Sequence, residues 1–154
     1  SKYLWCLAVL AVLGVVGCST VSLKPADFSW PVEVVLKPDG KGMVQESRYQ
    51  LSFNVKPLFF EEFQDSVTVA KPLRLIRDAR GYYFITGKEF KHVYVFAQSD
   101  AALTLEKKIK VSEKGLESPA FNQKNQFIEL INEANAAEKP ILLSKEGIQE
   151  GGKK

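Results

Sequence analysis

A chain of 154 residues with 45% apolar content is long enough to bury one real core, and one domain is the expectation at this length. Its 21 Lys and Arg and 18 Asp and Glu are scattered among apolar positions rather than gathered in runs, a pattern that leaves no nucleic-acid footprint. Both cysteines, Cys6 and Cys18, fall within the first eighteen residues, so no disulfide staples the body and packing must carry its stability.

In chain order, the first segment runs from Tyr3 to Val16 as an almost unbroken apolar stretch, preceded by Lys2 and followed by small and polar residues. That is the profile of a signal peptide. As a helix its fourteen residues span only about 21 Å, short of the hydrocarbon core of about 30 Å that a permanent anchor helix must cross. The four residues at its end, Val15-Val16-Gly17-Cys18, resemble the lipobox of bacterial lipoproteins: an aliphatic residue, a small pair, then cysteine. The resemblance implies cleavage after residue 17 and lipidation of Cys18, whose thiolate is the nucleophile able to carry a diacylglycerol thioether. Two or three acyl chains, palmitate among them, then make attachment to a membrane nearly permanent. It also implies sorting to the outer membrane, facing the periplasm, because Ser19 stands where an Asp would retain the protein at the inner membrane.

Residues 18–31, with Pro25 and Pro31, read as a tether that reaches at most about 45 Å. Beyond them the dominant signal is period two, the mark of half-buried strands. Val32, Val34 and Leu36 alternate before the turn chemistry of Pro38-Asp39-Gly40, and Tyr49, Leu51, Phe53 and Val55 alternate strictly over eight residues. Leu73–Arg77 and Tyr82–Thr86 flank Asp78-Ala79-Arg80-Gly81 as a hairpin. Phe90, His92, Tyr94 and Phe96 alternate with residues that are also largely apolar, which predicts an interior strand buried on both faces. Leu103, Leu105, Ile109 and Val111 share a parity and predict a long strand wet on one side.

After Ser118-Pro119 the pattern changes. Phe127, Leu130, Ile131 and Ala134 fall on one helical face, predicting an amphipathic helix near 119–138 that Lys139-Pro140 ends, with Ile141–Leu143 as a short final strand. The glycine-rich, charged residues 145–154 read as a disordered tail. The expected fold is therefore mainly β: an antiparallel β-sandwich or open barrel of about seven strands over residues 32–144, with one C-terminal helix.

The inventory for chemistry is thin. His92 is the one histidine, and its parity with Phe90, Tyr94 and Phe96 favours a packed or interface role over catalysis. An acylated Cys18 would leave no free thiol, which removes cysteine nucleophiles, thiolate zinc sites and iron–sulfur clusters. No G-x-S-x-G elbow, P-loop or G-x-G-x-x-G occurs. Glu61 and Glu62, read as strand neighbours, would point to opposite faces and could not act together. The stretch Glu61 to Asp65 is only a faint calcium loop. No catalytic residue, metal or cofactor is expected.

The most suggestive feature is Pro57-Leu58-Phe59-Phe60-Glu61-Glu62-Phe63, whose three phenylalanines break the preceding alternation. Phe59, Phe60 and Phe63, with Trp30, are the candidate contacts for a protein partner, the plainer reading being a bulge or corner that feeds the core. Lys71, Arg74, Arg77, Arg80 and Lys88 make one region locally basic. The function these residues suggest is that of a noncatalytic accessory or scaffold lipoprotein of the bacterial cell envelope, held to the membrane by Cys18 and acting through protein contacts. The alternative is an envelope module that binds a small hydrophobic, glycan or peptide ligand.

Overall fold

The computed structural model describes residues 33–65, 70–100, 102–135 and 137–150. Cys18 and Trp30, the signal segment and the tether lie outside these residues. The described chain is mainly β. In order it forms β1 (Val34–Leu36), β2 (Met43–Glu46), β3 (Leu51–Asn54), α1 (Lys56–Phe63), β4 (Leu73–Arg77), β5 (Tyr83–Gly87), β6 (His92–Ser99), β7 (Ala102–Lys110), β8 (Pro119–Lys124), β9 (Phe127–Asn132), β10 (Ile141–Ser144) and β11 (Gly147–Gln149).

Every pairing is antiparallel. A five-stranded sheet runs β1-β4-β5-β6-β7, a four-stranded sheet runs β11-β10-β9-β8, and β2-β3 stands as a hairpin; among the described residues no closed barrel forms. Strand β5 is the middle of the larger sheet and all five of its residues are buried. Alternation sends Tyr83 and Ile85 to one face and Phe84 and Thr86 to the other. On the first face Leu73, Leu75, Tyr83, Ile85 and Tyr94 join a core with Leu51 and Val44 from the hairpin and Leu58 and Phe59 from α1. On the second, Ile76, Phe84, Val93 and Val95 pack with Phe121, Ile128, Leu130 and Leu143 of the four-stranded sheet. One sheet thus supports two cores, which is why β5 and β6 read as apolar on both parities.

Strand β7 departs from its expected single parity. Val95 pairs with Lys107 but Phe96 with Leu105, so Glu106 is the extra residue of a β-bulge. The bulge reverses which parity faces which core: Leu103 packs on the first and Ile109 on the second. Leu105, whose parity predicted burial, is 51% exposed at the sheet edge.

Three expectations are corrected. The described residues of 119–138 form no helix: β8 and β9 make a hairpin through Asn125-Gln126, with Asn125 at φ 56°. Ile128 and Leu130 alternate into the second core, so the apolar set at 127, 128, 130 and 131 satisfies either period, and pairing with β8 decides. Pro119 opens a strand, where its missing N–H costs nothing, rather than a helix. The strand count is eleven among the described residues, not seven. Within the tail expected to be disordered, Gly147–Gln149 is β11, paired to β10.

The Asp78–Gly81 turn between β4 and β5 shows how a buried carboxylate serves the fold. Its Oδ1 accepts the Arg80 and Tyr82 N–H groups, both at 2.9 Å, and Gly81 takes φ +93°. Burial pushes the Asp78 carboxyl above its ordinary value, against the lowering effect of those hydrogen bonds. A folded value above the unfolded one means stability that is present at low pH and lost as pH rises through the folded value. Asp78→Asn keeps the accepting oxygen and removes the charge. We expect its melting temperature to exceed that of the wild type at pH 7 and to converge with it near about pH 3, where both side chains are neutral. A variant that melts lower at pH 7 would mean that the charged hydrogen bonds outweigh the burial.

Candidate functional site

The segment singled out for its aromatics is a helix rather than a bulge. Asn54 Oδ1 accepts the Lys56 N–H at 2.9 Å and Pro57 sits in the first turn, so the chain leaves β3 directly into α1. Gln64, at φ 56°, closes the helix by donating its N–H to the Phe60 carbonyl at 2.8 Å. Eight residues are too few for a helix to persist alone in water, so tertiary contacts hold it.

Those contacts divide the predicted site. Leu58, Phe59 and Glu62 share the inward face, being three and four residues apart. Phe59 is 2% exposed and meets Phe90 edge-on at 5.3 Å, which makes it a core residue and not a contact surface. Phe60 and Phe63 remain exposed at 49% and 36%, with Phe63 resting one edge on Phe90. Of the predicted contact residues, then, Phe60 and Phe63 lie open and Phe59 does not.

Glu62 is what periodicity alone missed. Its side chain retains only 2% of its exposure. It accepts the backbone N–H of His92 at 3.0 Å and of Lys91 at 3.4 Å, and lies 3.0 Å from His92 Nδ1. It therefore latches α1 to the start of β6. Its neighbour Glu61 points outward and pairs with Lys108 of β7 at 2.7 Å, which lowers the Glu61 carboxyl below its ordinary value. Tyr94 lies below, its buried hydroxyl without a hydrogen-bond partner among the described residues. Burial first, then the neighbouring Glu62 carboxylate, drives its ionisation well above the ordinary phenol range.

His92 is part-buried, at 22% of its side-chain exposure, and among the described residues its ring hydrogen-bonds to Glu62 alone. A carboxylate that orients an imidazole is half of a general-base arrangement. The hydroxyl bonded to His92 is that of Thr86, and it donates to the backbone carbonyl at 2.9 Å rather than to the ring. Among the described residues no group of three or more His, Cys, Asp or Glu is placed to hold a metal, and no helix is long and apolar enough to cross a membrane.

The locally basic set disperses. Arg74 bonds Glu33 at 2.9 Å, Arg80 pairs with Glu146, Lys71 with Glu89, and the Arg77 guanidinium lies 5.7 and 5.6 Å from the Tyr49 and Tyr83 ring centres.

Beside α1, between its first turn, the β2-β3 hairpin and the first face of the larger sheet, lies a cavity of about 410 Å³. Leu51, Phe53, Leu58, Ile85, Phe96 and Leu103 contribute its apolar walls. Leu103 reaches it because the bulge at Glu106 sets the parity of β7. Fold and site together define an antiparallel β protein whose one described helix carries aromatic rings outside, a buried acid inside and a cavity at its start. Comparison with known proteins finds no matching family model, no matching curated protein and no matching solved structure.

Proposed function

We propose that this chain is a noncatalytic accessory or scaffold lipoprotein of a bacterial cell envelope, anchored through acylated Cys18 at the outer membrane and facing the periplasm. In this reading the two sheets that share the second core are the layers of a β-sandwich, and α1 offers Phe60 and Phe63 to a protein partner. The observation that carries the reading is the Val15-Val16-Gly17-Cys18 sequence at the end of a fourteen-residue apolar stretch. The two exposed phenylalanines, side by side on one helix, support the contact role, because aromatic side chains are enriched at the centres of interfaces. In this reading the Glu62–His92 pair serves to hold α1 on β6. The cavity favours a second reading, an envelope module that takes a small hydrophobic ligand.

Intact mass and membrane fractionation of the wild type and Cys18→Ala in a bacterial host test the anchor. The expected wild type lacks residues 1–17, carries added acyl mass and sediments with membranes, whereas Cys18→Ala carries no acyl mass. A wild type that keeps residues 1–17 without lipid would sink the reading.

A further inference from the structure

We propose that the cavity beside α1 is a binding site for the hydrocarbon tail of a single-chain amphiphile. Its volume of about 410 Å³ falls within the range of small-molecule sites, and it is bounded by three separate pieces of the fold. The β2-β3 hairpin supplies Leu51 and Phe53, the first turn of α1 supplies Leu58, and the sheet supplies Ile85, Phe96 and Leu103.

The lining decides the chemistry of the guest. Among the described residues, no charged side chain lines the cavity. The amide of Asn54 at its margin is already used, its Oδ1 by the Lys56 N–H and its Nδ2 by the Lys41 carbonyl. Ser52 is the one other polar side chain among the described lining residues, so a polar group set against the apolar walls would lose its hydration with little to replace it, and that cost selects hydrocarbon. The polar end must then stay outside. Ser52 and Ala102 line the cavity and are exposed, so it opens to water on their side and admits a tail whose headgroup remains solvated. The walls are held by the folded core itself, since Leu51, Leu58 and Ile85 belong to the first core cluster and Phe96 and Leu103 pack against it. This deepens the ligand-binding reading and does not depend on lipidation of Cys18.

The test uses the full chain in unfractionated lysate of the expressing host, photolysed with tetradecanoic acid bearing a terminal diazirine, with adducts located by peptide mass spectrometry. Adducts are expected on the segments that contain Phe53, Leu58, Phe96 and Leu103. Plugging the cavity by Leu103→Trp should lower them by about tenfold while leaving adducts elsewhere unchanged, as expected when a bulky ring occupies a ligand site. Phe96→Trp serves the same purpose should Leu103→Trp fail to fold, folding being judged by the wild-type melting transition. Adducts as frequent on the exposed Phe60 and Ile148 as in the cavity would overturn the proposal. So would undiminished labelling in a folded plugged variant, or a polypeptide cross-linked in the cavity that excludes the probe. Because the readout is adduct position, a chain that binds the tail but lacks lipid on Cys18, or the reverse, separates this site from the anchor.

Discussion

Phe84→Ala is expected to cost about 3–5 kcal/mol of folding stability, since it deletes a fully buried ring and leaves a void that the surroundings only partly fill. Phe84 is 0% exposed on the middle strand of the larger sheet, between Ile76 and Val95 across the two flanking ladders. It belongs to the core that joins this sheet to β8, β9 and β10. Neither strand neighbour can move into the space without breaking pairing on its other side, so relaxation is poor and the cost should lie toward the upper end of that range. A domain of this size has a total stability of about 5–15 kcal/mol, and the loss should lower the melting temperature by about 15 °C. Leu105→Ala is the control: half-exposed on the edge strand, it should change stability by less than about 0.5 kcal/mol. Urea titration of the two variants checks both, and equal effects would mean that the two sheets do not share a tightly packed core.

Glu62→Ala is the second large effect, expected at about 3 kcal/mol. It strips an acceptor from two backbone N–H groups and the His92 ring at once; a hydrogen bond to a charged group contributes about 1.5–3 kcal/mol net, and such contributions from one shared carboxylate do not add in full. Because Glu62 is the tie between α1 and β6, the loss should also free the helix, seen as faster hydrogen exchange of the amides from 58 to 64 than of β5. Glu62→Gln retains one oxygen and should lose about 1 kcal/mol. Glu61→Ala, one residue along, removes only an exposed pair with Lys108 and should cost less than about 1 kcal/mol. Should Glu61→Ala and Glu62→Ala prove equivalent, the buried latch contributes nothing and packing of Phe59 alone holds α1.

Strands whose apolar period is unambiguous are legible without the fold. Leu51–Asn54, Leu73–Arg77, Tyr83–Gly87 and His92–Ser99 all lie where alternation predicts them, and doubly apolar runs mark the strands buried on both faces. Strand pattern is local, so it needs no partner to be read. Three features needed the tertiary structure. Phe127–Asn132 suits a helix or a strand, and only its pairing with β8 selects the strand. Residues 57–63 broke the alternation without showing why; eight residues form a helix only because Leu58 and Phe59 find a core and Glu62 finds His92. Charged and aromatic residues thirty positions apart carry no local signal of their contact. The cavity was the least legible of all, because it depends on a single bulged residue, Glu106, that turns Leu103 toward the first core, and a one-residue shift of parity is invisible until strands are paired.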